Sequence, residues 1–139
     1  VLIGMLVAGP MGASICGLMV YLGHVWPIVY RFQGGKGVAT AFGAVIAVSP
    51  LVALISLVIV AAVVFISKRM SLGSIVGGVI LPIVTFLLAP WYTCVALITG
   101  IIIIVKHRAN IGRLIRGEEP IMSIFEKGDK AAGTEEDKK

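Results

Sequence analysis

A basic, glycine-rich stretch, Arg31-Phe32-Gln33-Gly34-Gly35-Lys36-Gly37-Val38-Ala39-Thr40, leads directly into an apolar run. Glycines let a backbone approach a ligand closely and turn N–H groups toward it, and a following helix N-terminus adds partial positive charge. With the full charge of Lys36 added, the segment could cradle a phosphate. It is not a nucleotide P-loop, which needs glycine, four residues, glycine-lysine and then serine or threonine. Here Tyr30 stands at the first glycine position and Gly37 follows the lysine. A flexible turn at the membrane interface with an anchoring lysine explains the glycines equally well.

A second group is Lys106-His107-Arg108-Ala109-Asn110-Ile111-Gly112-Arg113-Leu114-Ile115-Arg116-Gly117-Glu118-Glu119. If one helix runs through it, His107 and Asn110 lie three apart on one face, with Arg113 a further turn along. Such a trio can donate hydrogen bonds to a phosphate, and His107 could move a proton near neutral pH. The competing explanation is a basic juxtamembrane helix that holds anionic headgroups. Ser71, just after Lys68-Arg69-Met70, reads in isolation as a helix N-cap. His24, in Gly23-His24-Val25-Trp26-Pro27, reads as an interfacial histidine beside an anchoring tryptophan. There is no elbow motif for a serine nucleophile and no His and Cys cluster with metal spacing, so neither an internal nucleophile nor a metal or other cofactor is expected.

The elements that must hold these residues are apolar. The chain is 58% hydrophobic and 14% charged, with a mean hydropathy of +1.05, far from about 45–50% and 25% in soluble domains. Residues 1–30, 37–67 and 70–105 contain no Lys, Arg, Asp or Glu, and a transmembrane helix needs about 20 apolar residues. These blocks predict an all-α polytopic membrane protein. The expected segments are Val1 to about Leu22, with a loop or kink at Gly9-Pro10-Met11-Gly12, and then 73–88 and 92–105, separated at Ala89-Pro90-Trp91-Tyr92. Between them, 41–67 makes either one over-long helix or two short helices broken at Ser49-Pro50. Charge favours the second. The connectors carrying Arg31 and Lys36, Lys68 and Arg69, and Lys106 to Arg116 are all basic, and the positive-inside rule puts all three in the cytoplasm. Five membrane segments result, with the C-terminus cytoplasmic. Cys16 and Cys94 fall in apolar blocks, as small buried hydrophobes do. The chain starts inside an apolar run, the expectation for a truncated start. The polar end has the composition of disorder, dividing the chain into an embedded domain at 1–119 and a tail at 120–139.

Gly23-His24-Val25-Trp26-Pro27 followed by Phe32-x-Gly34-Gly35-Lys36-Gly37-Val38-Ala39-Thr40 resembles the second signature of the PlsY family. His107-Arg108-x-Asn110-Ile111-x-Arg113-Leu114-x-x-Gly117-x-Glu119 resembles the third, and Ser71-Leu72-Gly73 resembles a short serine segment between them. The resemblance implies a bacterial inner-membrane enzyme that transfers an acyl group from acyl phosphate to the 1-hydroxyl of glycerol 3-phosphate, giving lysophosphatidic acid and phosphate. It implies a seven-helix bundle, of which five segments are present, with the site and C-terminus on the cytoplasmic face. Gly34, Gly35, Lys36 and Gly37 would bind phosphate groups, and Ser71, His107 and Asn110 would complete the pocket. Lys36, His107 and Asn110 would carry the catalysis, with Arg108, Arg113 and Glu119 supporting them. The substrates and the lipid bilayer would be the partners, with no nucleic acid and no obligate protein partner.

Two departures stand out. The family's first signature, a Ser-Gly-Asn-rich segment ending in Gly-Ala-Thr-Asn, has no counterpart here, and a serine and an arginine of the pocket go with it. The resemblance therefore implies that this chain alone is inactive. Ile121 also stands where the family commonly has a lysine. Against the acyltransferase stand two other classes. A transporter or channel for organic phosphates predicts pseudo-repeats and charges within the membrane, and neither is visible. A lipid-binding scaffold explains the juxtamembrane arginines but not the glycine loop.

Overall fold

A computed structural model describes residues 1–125. Its elements are helical throughout the described residues: α1 (Leu2–Val25), α2 (Val38–Val48), α3 (Pro50–Ser67), α4 (Met70–Leu88), a 3₁₀ turn (Pro90–Tyr92), α5 (Thr93–Lys106) and α6 (Arg108–Ile115).

The break inside 41–67 falls where proline requires it. Ser49 is extended (φ −155°, ψ 101°), as a residue preceding proline prefers, and its side chain accepts the Val52 N–H at 3.4 Å. Pro50 then occupies the first turn of α3, where no N–H is missed. α1 is kinked as expected. Ala8 and Gly9 leave helical geometry, Gly9 has φ +59°, and the fold-back presses Gly4 against Gly12, with no room for a Cβ on either. The first segment extends to Val25 rather than Leu22.

Chain direction follows from three contacts at one end of the bundle. Lys106 Nζ, at the end of α5, donates to the Val25 carbonyl at the end of α1 (3.3 Å). Lys36 Nζ, just before α2, donates to Asn110 Oδ1 (2.6 Å). Asn110 Nδ2 donates to Ser71 Oγ in the first turn of α4 (2.8 Å). Hence α2 leaves this polar end and α3 returns to it, as the hairpin predicted. Its arms are unequal: α2 has 11 residues and α3 has 18, or about 16 and 27 Å at 1.5 Å per residue.

Three helices, α1, α3 and α4, are long and apolar enough to cross a bilayer. The pair of Pro90–Lys106 and Arg108–Ile115, bent by 58°, makes a fourth if it counts as one span. The protein is a multi-pass membrane protein. Large side chains such as Leu6 and Ile66 point outward at 86% and 85% exposure, the arrangement lipid favours. Inside, α4 and α5 meet where Gly78 faces Gly100, whose absent Cβ would collide with the Gly78 carbonyl; such small residues let membrane helices approach. Val45, Val48, Val52, Ala53, Leu81 and Val84 belong to a buried cluster joining α2, α3 and α4.

Residues 120–125, the start of the segment expected to be a disordered tail, lie along the polar end. Met122 N–H bonds the Lys68 carbonyl at 2.9 Å, and the Phe125 ring meets Phe65 edge-on at 5.8 Å. Residues 126–139 lie outside the described residues.

Candidate active site

The glycine loop is seated on the last turns of α1. A Cβ on Gly34 would run into the His24 carbonyl, and one on Gly37 would stand 2.5 Å from the Tyr21 ring. Gly37 also has φ +74°, the left-handed region that suits glycine. Gly35 presents its backbone to His24, whose Nε2 lies 3.1 Å from the missing Cβ. The loop turns through Arg31 and Phe32 in left-handed geometry (φ 50° and 62°), held by a bond from Phe32 N–H to the Pro27 carbonyl at 2.9 Å. Lys36 thereby arrives at the mouth of the bundle, exposed except where it meets Asn110.

Asn110 is the hub. Its Oδ1 accepts from Lys36, while its Nδ2 donates to Ser71 Oγ and, at 2.8 Å, to Glu119 Oε1. Ser71 Oγ donates to the same carboxyl oxygen. Glu119 Oε2 accepts from Arg113 Nε at 2.7 Å, and the Glu119 side chain is 3% exposed. Burial pushes this carboxyl toward its neutral form. The hydrogen bonds from Ser71, Asn110 and Arg113, with the Arg113 charge, outweigh it and bring the pKa down to about 2. Four segments of the chain thus meet in one network.

His107 is buried beside this network. One continuous helix through 106–119 is not what forms. α5 stops at Lys106, His107 leaves helical geometry (φ −95°, ψ 9°), and α6 starts afresh at Arg108. The bend turns Asn110 inward, buried, and Arg113 still lies one turn along toward Glu119. His107 Nδ1 stands 2.8 Å from the Ile103 carbonyl. A carbonyl only accepts, so this contact assigns the proton to Nδ1 and leaves Nε2 as the acceptor nitrogen. Burial lowers the imidazole's pKa below its usual 6.5, with the Lys36 charge adding to the effect; the Ile103 bond and Glu119 oppose it.

A cavity of about 610 Å³ opens from this polar cluster between α2, α3, α4 and α5. Lys36, Ser71 and His107 line its polar end, and Phe42, Val60 and Leu81 are among its apolar walls. Of the expected site residues, Gly34, Gly35, Lys36, Gly37, Ser71, His107, Asn110, Arg113 and Glu119 are gathered here. Arg108 is exposed and makes no hydrogen bond or ion pair among the described residues. Lys106, read in the sequence only as part of the basic stretch, ties the end of α5 to α1 and lies 5.0 Å over the Trp26 ring. Its place directly before His107 was the available signal.

A family model described as "Glycerol-3-phosphate acyltransferase" matches residues 1–117. Curated relatives bearing that name include one from Finegoldia magna, 40% identical over 80% of this chain and 58% of its own length. Another is from Thermoanaerobacter sp., 42% identical over 86% and 61%, and a third from Staphylococcus aureus, 43% identical over 76% and 53%. The chain thus spans little more than half the length of these relatives. Among solved structures, PlsY, an integral membrane glycerol 3-phosphate acyltransferase, is similar in its glycerol 3-phosphate form, with TM-score 0.83 and 36% identity over 90% of this chain and 64% of that one. Its lysophosphatidic acid form gives 0.82 and 36%, over 87% and 64%. This chain belongs to the glycerol-3-phosphate acyltransferase family.

Proposed function

We propose that this chain supplies the greater part of an acyltransferase that moves an acyl group from acyl phosphate to the 1-hydroxyl of glycerol 3-phosphate, releasing phosphate. The observation that carries the proposal is a polar end bearing the Lys36 charge at the mouth of a largely apolar cavity. Lys36, Ser71 and His107 stand at one end, and α2, α3 and α4 wall most of the rest with hydrocarbon. Acyl phosphate is divided in the same way, a doubly charged head on an alkyl chain. The solved relative's two forms, named for glycerol 3-phosphate and lysophosphatidic acid, support the acceptor and the product.

On this proposal the backbone of Gly34 to Gly37 and Lys36 bind phosphate oxygens, while Ser71, Asn110 and His107 orient the acceptor. Glu119 and Arg113 hold Asn110 and Ser71 in position. Acyl phosphate is already activated, so positioning and charge neutralisation supply the rate and no protein nucleophile is needed. The acceptor oxygen attacks the acyl carbon, the C–O bond to phosphate breaks, and phosphate leaves with its charge against Lys36. The hydroxyl proton passes to a substrate phosphate oxygen. His107 is the competing base, favoured by one observation: its Nδ1 is committed to Ile103, which leaves Nε2 able to accept. The basic connectors support a cytoplasmic position for the polar end, and the family resemblance supports a bacterial inner membrane.

The test is reconstitution in lipid, with the chain used alone and joined to the N-terminal region of a relative that carries the first signature. Acyl phosphate and glycerol 3-phosphate should yield lysophosphatidic acid in the joined form. No product in either form, or undiminished product with Lys36→Ala, would sink the proposal.

A further inference from the structure

The apolar cavity has a floor. α3 and α4 run antiparallel in fixed register: a Cβ on Gly73 would meet Val64, and one on Gly77 would stand 3.0 Å from Val60. Continued by one turn, this register sets Ser56 level with Leu81, and both line the cavity. Beyond them Val48, Val52, Ala53 and Val84 close up in the buried cluster. Measured from the polar end, Ser56 lies about 18 Å along α3 from Lys68, and Leu81 about 15 Å along α4 from Ser71.

Ser56 is an unusual residue for that place. It is 7% exposed, and its Oγ has no hydrogen-bond partner. An unpaired hydroxyl in hydrocarbon is costly, so polarity does not explain it. Its small size does, because a branched aliphatic at 56 would fill space that the cavity now uses. An extended alkyl chain advances about 1.25 Å per carbon, from ordinary bond lengths and angles.

Building on the acyl-transfer proposal above, we propose that Ser56 is a specificity-determining residue. With Leu81 it forms the floor of the acyl-chain cavity and limits the chain accommodated to about 12 to 14 carbons.

The protein joined to a relative's N-terminal region is offered a mixture of saturated acyl phosphates of about 10 to 18 carbons with glycerol 3-phosphate, and products are resolved by mass. Ser56→Leu should cut turnover of the longest chains about tenfold relative to the shortest, because a methylene that no longer fits is worth about that factor. Retained turnover of the shortest chains shows that this variant folds. Leu81→Ala should shift the profile the opposite way, and Ser56→Ala should leave it unchanged. The proposal is overturned if Ser56→Leu and Leu81→Ala both keep the parent profile, if they shift it in the same direction, or if Ser56→Leu loses all chain lengths equally. A second measurement needs no turnover: displacement of a labelled alkyl phosphate by unlabelled ones of graded length. Should the parent make no product, acyl transfer itself fails, and a length cut-off in displacement that moves with the two variants upholds the floor. A parent that binds every length alike in displacement overturns it.

Discussion

Lys36 Nζ donates to Asn110 Oδ1 across 2.6 Å, joining a glycine loop to a helix 74 residues later in the chain. The bond carries no second charge, so the ammonium is positioned without being neutralised. Its exposed side remains open for an anion. This distinguishes Lys36 from Arg113, whose charge is matched by Glu119 at 2.7 Å.

Replacing Lys36 with alanine should therefore cut acyl transfer by about 10² to 10³, the usual cost of removing one group that stabilises developing charge. Lys36→Arg should restore only part of the rate, since a planar fork does not reproduce a point charge at the same spot. Initial rates with saturating substrates test both. Equal losses in the two variants would mean that the shape of the ammonium, and not charge alone, is required.

Gly37→Ala should fail through the backbone. Its φ of +74° costs a side-chain-bearing residue about 1–3 kcal/mol, and the new Cβ would stand 2.5 Å from the Tyr21 ring. Gly35 is exposed, and its Cβ would stand 3.1 Å from His24 Nε2, at the edge of a surface side chain that can yield. Gly35→Ala should thus be milder. The Michaelis constant for glycerol 3-phosphate and the melting temperature in detergent report the two effects, and Gly37→Ala should worsen both.

Much of this arrangement was legible in the sequence for a simple reason. Charge cannot stay in hydrocarbon, so uncharged blocks locate the helices, and the basic connectors mark the end where Lys36, Ser71 and His107 meet. Ser49-Pro50 announced its own break. What the sequence did not reveal depends on geometry across space. The 58° bend at His107 has no proline or glycine beside it to signal it. Asn110 as a hub also required knowing that the chain folds back so that Glu119 reaches Ser71. His24 read as an ordinary interfacial residue because the segment it lies against, at Gly35, contributes no side chain to a pattern.

Glu119 makes the site acid-sensitive in a defined window. Its pKa is about 2 in the folded protein, against about 4.3 for an unperturbed Glu. A carboxyl depressed on folding contributes stability that is complete above the unfolded value and is lost as pH falls through the folded one. Thermal stability in detergent should then decline between about pH 4 and pH 2. Glu119→Gln should flatten that part of the profile and lower stability at neutral pH by about 1.5–3 kcal/mol, the range for hydrogen bonds to a charged group. An unchanged slope in the variant would show that Glu119 is not the group responsible.

His107 separates the two routes for the proton. Its lowered pKa keeps the ring neutral at pH 7, and protonation, resisted in the folded protein, begins only below the usual 6.5. The sign follows: acidification below 6.5 favours the unfolded chain, where the imidazole takes its proton more easily. If His107 is the base, kcat should fall as pH drops through its folded pKa, and His107→Gln should lose about 10² to 10⁴, the range for general-base catalysis. If a substrate phosphate takes the proton, glutamine can replace the hydrogen bond to the Ile103 carbonyl. The variant then keeps most of its kcat, and the acid limb, set by the phosphate's own titration, is the same in both proteins. Measuring kcat against pH for both proteins decides between them, because only the base role predicts an acid limb that disappears with the histidine.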